Sequence, residues 1–468
     1  MTILVNPRLP AVLAPYNAIL VVIALLVRTL MPASGFAQQP GSATHDQKSV
    51  VAPSPTLTVQ IPDEQRQFPE PLPAERSAPG FKLRGIKGWM WRPAQYLAEI
   101  PVLAQHRMNF MMNCYTSMCD IEHHAWGEPD CNRWWEPLPA DKKKAYEEVV
   151  HTCARQGVTF CFCMNPNLSS KRFADPDNAQ DVADLWQHYH WMQDLGVKWF
   201  SICLDDIGHG ADPTMQAKLV NEILRRLRAR DPQAQMIFCP TYFCGNGTNR
   251  GAECYLKVIA AELEGDVYVF WTGDAIVAPR ITRTAAKQYG KLVAHKLILW
   301  DNYPVNDNTP TMNLGPVTGR DPDLCEAVEG YMSNSLCPQN EINRIPMLTC
   351  ADYAYNPWQY DPDRSIGQVI LRMAGSKDQR SALAELVEAY PGNLRLEKGY
   401  TFNPVRSRFS HLDSLSDGGA QAGAFVHRMD ELLHRFQGAF PRNFPDARKT
   451  LSDDIGWMRT ALANTARE

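Results

Sequence analysis

A (β/α)8 TIM barrel followed by a C-terminal helical appendage is the fold the sequence predicts, and three observations predict it. Short apolar runs recur at 81–86, 109–114, 158–164, 198–204, 235–239, 267–271, 296–300 and 345–349. Helix-forming segments separate them near 93–106, 140–156, 178–195, 213–230, 250–264, 281–290 and 321–333, with one more near 365–374. Each run ends in polar residues or glycine, as strands do where they open into loops. Strand–helix units repeated eight times within roughly 300 residues are the signature of this barrel. A doubly wound open sheet is the alternative, but no Gly-rich nucleotide loop follows the first run.

Residues 1–37 read as a signal peptide. The first 17 residues carry one charged side chain, Arg8; an apolar run follows at 18–27, and Gly35-Phe36-Ala37 resembles a cleavage site. The run is too short for an ordinary membrane span, so no stable span is expected after cleavage and the mature chain is expected to be secreted or periplasmic. An uncleaved anchor, with Arg28 at its end, is the alternative. Residues 38–80, rich in Pro, Gln and Ser, read as a disordered linker. The barrel is expected over 81–375 and the helical region over 376–468.

The chain is 45% hydrophobic and 10% aromatic, enough for a large core. Its net charge of −4, with 47 basic against 51 acidic residues and no long basic run, argues against a nucleic-acid partner. Thirteen cysteines in an exported chain suggest disulfides. Cys161, Cys163, Cys203 and Cys239 lie inside apolar runs and read as small hydrophobes. Cys114, Cys119, Cys131, Cys153, Cys244, Cys254, Cys325, Cys337 and Cys350 lie where pairing is open to them.

The helix at 213–230 is the best marked. Asp212 can cap it, Pro213 suits its first position, and Leu219, Val220, Ile223, Leu224 and Leu227 form one apolar face. This bears on the run before it, which ends in Asp205 and Asp206. Capping is the ordinary explanation for such acids, and Asp212 already fills that role.

In a barrel of this kind, catalytic groups gather where strands end. The residues that follow the runs are Lys87-Gly88-Trp89-Met90-Trp91, Cys114-Tyr115-Thr116, Asn165-Pro166-Asn167, Asp205-Asp206, Pro240-Thr241-Tyr242-Phe243, Trp271-Thr272-Gly273-Asp274 and Asp301-Asn302-Tyr303-Pro304, with Asn334 ahead of the last run. Amides, carboxylates and aromatic platforms suit a polyhydroxylated ligand such as a sugar. No CxxC pair with a matching partner stands out, and His209 beside the acids weighs little as a metal ligand. Adjacent residues on a strand point to opposite faces, so the chain must turn between Asp205 and Asp206 for both to serve one site. Crowding would then raise one carboxyl, leaving one acid protonated and one ionised, the division that glycoside cleavage needs.

These blocks carry a resemblance. Leu204-Asp205-Asp206-Ile207, Phe238-Cys239-Pro240-Thr241, Trp271-Thr272-Gly273, the segment from Leu299 to Asp307, and Leu314-Gly315-Pro316 with Gly319-Arg320 are similar, in this order, to the β-N-acetylglucosaminidases of glycoside hydrolase family 84, the O-GlcNAcase and bacterial hyaluronidase-like enzymes. The resemblance implies a retaining, substrate-assisted reaction through an oxazoline, with an N-acetylglucosamine-containing carbohydrate as partner and no metal or organic cofactor. It implies that Asp205 orients the acetamide and that Asp206 is the general acid and then base. Asn302, Asp307 and Asn334 match positions that hold the acetamide or sugar hydroxyls, and Gly88 matches a glycine whose backbone faces the sugar. The chain departs from the pattern at three places. The first block, usually Glu-Gly-Phe-Tyr-Gly, reads Lys87-Gly88-Trp89-Met90-Trp91. The family's sugar-binding lysine falls on Thr116. Its acetamide-contacting tyrosine falls on Phe243, with Tyr242 beside it as the candidate substitute. A non-catalytic sugar-binding barrel and a glycosidase of altered sugar specificity are the alternatives these departures leave open.

Overall fold

The structure is a computed structural model that describes residues 79–115, 132–207, 211–247, 250–306, 311–337, 339–392, 402–415 and 418–465. The readings made of residues 1–78, and of Thr116, Cys119, Cys131, Gly208, His209, Gly210 and Asp307, lie outside the described residues.

Eight parallel strands close on themselves in chain order: β1 (Leu83–Gly88), β2 (Phe110–Asn113), β3 (Thr159–Met164), β4 (Trp199–Cys203), β5 (Gln235–Cys239), β6 (Tyr268–Trp271), β7 (Leu297–Pro304) and β8 (Gly330–Asn334). β8 pairs back onto β1, with Lys87 opposite Asn334. Glycine is required on both sides of β1, because a Cβ on Gly330 would lie 2.9 Å from Leu83 Cβ at the closing seam and one on Gly85 would lie 2.5 Å from the carbonyl oxygen of Phe110 on β2.

The helices between the strands are α1 (Pro93–Gln105), α2 (Ala140–Arg155), α3 (Ala179–Asp194), α4 (Pro213–Arg230), α5 (Arg250–Glu262) and α6 (Arg283–Val293). α4 forms as its sequence predicts. Asp212 accepts from the backbone N–H groups of Thr214 and Met215 at 2.9 and 3.3 Å, and its five apolar positions are buried.

The eighth unit differs from the expected one. Run 345–349 is not a strand. It opens α7 (Arg344–Tyr355), while β8 lies within the segment read as the helix at 321–333. Between β7 and β8 the described chain makes only a short 3-10 turn, Leu324–Glu326. The cause is burial. α7 is buried almost all round, from Ile345 through Ala351 and again at Tyr353 and Ala354, so it shows no polar face and its apolar run mimics a strand. Pro346 then sits in a first helical turn, where its missing N–H costs nothing.

α7 is buried because two cores meet around it. Met347, Cys350 and Ala351 join the cluster between barrel and outer helices, while Ile345 and Leu348 join a second cluster. That second cluster is built by α8 (Pro362–Met373), α9 (Lys377–Ala389), α10 (Pro404–Asp413), α11 (Gly418–Ala439) and α12 (Pro445–Thr465). Among these helices Asp454 is buried and accepts from Tyr390 Oη at 2.8 Å and Arg406 Nε at 2.6 Å. Among the described residues no helix is long and apolar enough to cross a membrane.

The barrel interior forms a third cluster, in which Phe110, Met112, Ile237, Phe270, Ile298 and Met332 pack with Cys161, Cys163, Cys203 and Cys239. These four cysteines are buried small hydrophobes, as their runs suggest. Of the cysteines for which pairing was open, Cys153, Cys244, Cys254 and Cys350 carry free thiols.

Candidate active site

β4 delivers its last inward side chain, Cys203, and continues through Leu204 to the acid pair. Asp205 is buried, whereas Asp206 reaches the surface and has φ of +55°. The left-handed residue turns the chain between the two acids, which meets the condition for both carboxyls to face one site. Such a conformation costs a non-glycine residue about 1–3 kcal/mol, and it is found where surrounding structure enforces it.

Among the described residues, two side chains fix Asp205. Tyr115 Oη donates to its Oδ2 at 3.0 Å, and Asn165 Nδ2 donates to its Oδ1 at 3.2 Å and to its backbone oxygen at 3.1 Å. Asn165 is itself held, because its Oδ1 accepts from the backbone N–H groups of Asn167 and Leu168 at 3.2 and 3.0 Å. Tyr115 and Asn165 come from the ends of β2 and β3. Their part in the site was missed because nothing in the sequence sets them apart from other loop residues. The available signal was positional: Asn165 follows β3, the neighbour of the strand that carries the acids, and Tyr115 follows β2, one strand further round.

Burial pushes both carboxyls up, Asp205 well above the ordinary range with the Asp206 charge adding to it, while the Lys87 ammonium pulls both back. Burial, with the charges of Asp205 and Asp206, also pushes Tyr115 up, so its hydroxyl remains a donor at neutral pH. The raised Asp205 has a consequence for stability. An acid whose folded value exceeds its unfolded one favours folding fully only below the unfolded value, about pH 4, and loses that contribution as pH rises through the folded value. Asp205→Asn removes the loss. Its melting temperature relative to wild type is therefore expected to rise from pH 4 to pH 7; a difference that falls over that range would contradict the buried-acid assignment.

The other sequence candidates are placed as follows. Asn302 and Asn334 meet: Asn334 Nδ2 donates to Asn302 Oδ1 at 2.9 Å, and Asn302 Nδ2 donates to the Ile276 carbonyl at 2.6 Å. Gly88 ends β1, its carbonyl accepts from Tyr96 Oη at 2.9 Å, and a Cβ there would lie 2.5 Å from that oxygen. Close packing under Tyr96 therefore requires glycine. Tyr242 is not brought to the others; its ring is 39% exposed and packs at 5.1 Å on Tyr255 of α5. Phe243 is the neighbour that joins the interior cluster with Tyr115 and Trp300. Asp301, though within the strand-end block, is tied to Arg320 and Tyr331 in a buried ion pair.

Among the described residues, Cys203, Cys239 and Asp205 form a set whose sulfur and carboxylate atoms lie within 4.8 Å of one another, and Cys163 Sγ is 3.3 Å from Cys203 Sγ. Burial pushes the Cys163 and Cys239 thiols well up, whereas at Cys203 burial is outweighed by the hydrogen bonds from those two thiols, which push it down.

A carboxyl held in place by two donors, a second on a left-handed turn beside it, and two amides hydrogen-bonded to each other at the ends of β7 and β8 are groups that can orient an amide-bearing sugar and move a proton at its glycosidic oxygen. Known proteins share this architecture. The structure is similar to an aspartate-to-asparagine variant of the Thermobaculum terrenum O-GlcNAc hydrolase, with 20% identity, TM-score 0.65 and 83% of each chain covered. It is similar also to CpGH84B, with 22% identity, TM-score 0.63, and 83% of this chain and 69% of that one covered. At such identities the likeness is one of fold. A family model described as NAGidase, beta-N-acetylglucosaminidase, matches residues 85–388. That match runs from β1 into α9, over well more than half of the sequence, and on it the chain belongs to the β-N-acetylglucosaminidase family, glycosidases that act on N-acetylglucosamine.

Proposed function

We propose that this chain is an exported, retaining glycoside hydrolase that removes terminal β-linked N-acetylglucosamine from a glycan or glycoconjugate by substrate-assisted catalysis. The observation that carries the reading is the unequal environment of the two acids: Asp205 buried and anchored by Tyr115 and Asn165, Asp206 exposed on a turned backbone.

In this reading Asp205 accepts the acetamide N–H and so raises the nucleophilicity of the acetamide oxygen. That oxygen attacks the anomeric carbon as Asp206 protonates the leaving oxygen, which gives an oxazolinium ion whose N–H stays hydrogen-bonded to Asp205. Asp206, now ionised, then takes a proton from the water that opens the ring, restoring the starting protonation state. The raised Asp206 carboxyl suits the proton donor of the first step; Asp205 is raised further by burial and acts as acceptor only in its ionised form, which the Lys87 charge and the Tyr115 hydroxyl favour. Asn302, Asp307 and Asn334 hold the acetamide or the hydroxyls, and the backbone at Gly88 lines the sugar. Secretion or periplasmic placement rests on the reading of residues 1–37.

Tyr115→Phe tests the anchoring of Asp205. The Tyr115 hydroxyl lowers the Asp205 value, so its loss raises that value further. Rate requires ionised Asp205 on the acid side, so the acidic limb of kcat/KM is expected to move to higher pH, with activity at the optimum falling about 10-fold through loss of one charge-assisted hydrogen bond. An unshifted limb would remove Tyr115 from the account. Hydrolysis of an aryl N-acetyl-β-glucosaminide by purified protein tests the function itself, and no turnover across N-acetylated and plain glycosides would leave a sugar-binding barrel as the better description.

A further inference from the structure

Lys87 is the anomalous side chain of the barrel. It lies on β1, is 1% exposed, and its Nζ has no hydrogen-bond partner among the described residues. Other buried cations of the barrel are satisfied: Arg84 donates to the Phe81 carbonyl at 2.8 Å, and Arg320 pairs with Asp301. Lys87 instead points into three rings, its Nζ lying 3.7 Å from the ring centroid of Trp300, 4.3 Å from that of Tyr115 and 4.7 Å from that of Trp89. Ring faces attract a cation, but they leave its N–H donors without oxygen acceptors.

The surroundings give the orphaned ammonium a direction. Asn334 is its register partner on β8, and Trp300 lies on β7, the next strand round. Asn334 Oδ1 and Trp300 Nε1 are also buried without a partner among the described residues. Three successive strands thus present an ammonium, an amide oxygen and an indole N–H, all unmatched. Buried polar atoms are nearly always satisfied, and a cluster that is not marks the place of a polar ligand. This cluster lies near enough to Asp205 and Asp206 for the Lys87 charge to act on both.

Resting on the function proposed above, we propose that Lys87 is a substrate-binding residue whose ammonium donates to a hydroxyl oxygen of the sugar held against Asp205 and Asp206, on the side faced by β7, β8 and β1. The ligand class is a sugar with free hydroxyls on its non-reacting side. An ammonium supplied from β1 answers the Thr116 departure, because the cation need not come from the loop after β2. Three rings pack around the ammonium, so little freedom is lost on binding.

The test is calorimetric binding of N-acetylglucosamine and its singly deoxygenated forms to wild type, Lys87→Met and Lys87→Gln, with melting temperatures measured alongside. Wild type is expected to bind one deoxy sugar about 10–100-fold more weakly than the parent. Lys87→Met and Lys87→Gln, both folded, are expected to bind the parent more weakly and to lose discrimination at that one hydroxyl. The proposal is overturned if both variants keep wild-type affinity for the parent, or if they discriminate among the deoxy sugars as wild type does while only the pH–rate profile moves, since Lys87 would then merely balance the acids. Wild type that neither binds nor cleaves any of these sugars would instead sink the proposed function on which Lys87's role depends.

Discussion

Asp206→Asn is expected to fold as wild type does and to hydrolyse an aryl N-acetyl-β-glucosaminide about 10²–10⁴-fold more slowly, the usual worth of a positioned general acid–base group. The fold survives for a backbone reason. Asp206 sits at φ of +55°, and asparagine is one of the few residues that adopts this region readily. The residue reaches the surface while its carboxyl is partly desolvated, and asparagine keeps its volume and its polar end there. Loss should depend on the leaving group: an aryl leaving group with a low pKa needs little protonation, so the deficit shrinks for the first step and remains for the water-activating one. Added azide, which attacks without a base, should restore part of the rate. A variant that keeps more than about a tenth of wild-type kcat on an alkyl glycoside would deny Asp206 the acid role, since one group carrying both proton transfers should cost at least 10-fold.

Arg320→Met is expected to have the largest effect on stability. The Arg320 and Asp301 side chains are 2% and 1% exposed, and the Arg320 Nε–Asp301 Oδ2 distance is 2.9 Å. Burial acts to lower the Arg320 value, yet the Asp301 charge and hydrogen bonds outweigh it and the net shift is upward. Removing the cation leaves a carboxylate in the core with Tyr331 Oη, at 2.9 Å, as a remaining donor. Breaking a buried pair from one side costs about 3–5 kcal/mol. At about 1–2 °C per kcal/mol for a chain this long, the melting temperature should fall by roughly 5 °C. Pairing Arg320→Met with Asp301→Leu should recover much of the loss, because an apolar pair of similar volume replaces the ions without stranding one. A single variant that loses less than about 1 kcal/mol in urea unfolding would show that the pair is not desolvated as described. The pair matters to the site because Asp301 stands between Trp300 and Asn302 on β7.

The legible parts of the sequence were those where local pattern and tertiary role agree. α4 shows a cap, a first-turn proline and one apolar face, and all three have structural counterparts. β1 to β7 could be found because each is a short apolar run ending in polar residues. β8 could not, since Gly330-Tyr331-Met332-Ser333-Asn334 contains too few β-branched residues to stand out and follows an Asp-Pro-Asp start typical of helices. α7 was hidden by its complete burial between two cores.

The site divides the same way. Asp205 and Asp206 could be read from the way their run breaks, and Asn302 and Asn334 from the family blocks. Asp301 could not be told from a catalytic acid until its partner Arg320, distant in sequence, was seen beside it. Tyr242 and Phe243 alternate, so which one faces the barrel is a matter of register that no composition reveals. Lys87 looked like a departure from a motif, and its meaning came only from what its ammonium lacks.

The most direct measurement of the central claim is the rate of aryl β-glucosaminides whose N-acetyl group is progressively fluorinated. Substrate assistance makes the acetamide oxygen the nucleophile, so kcat/KM should fall steeply with each fluorine, and the matching plain glucoside should not be cleaved. Rates that ignore fluorination, or a plain glucoside cleaved as fast as the N-acetylated one, would contradict the assignment of Asp205 to the acetamide.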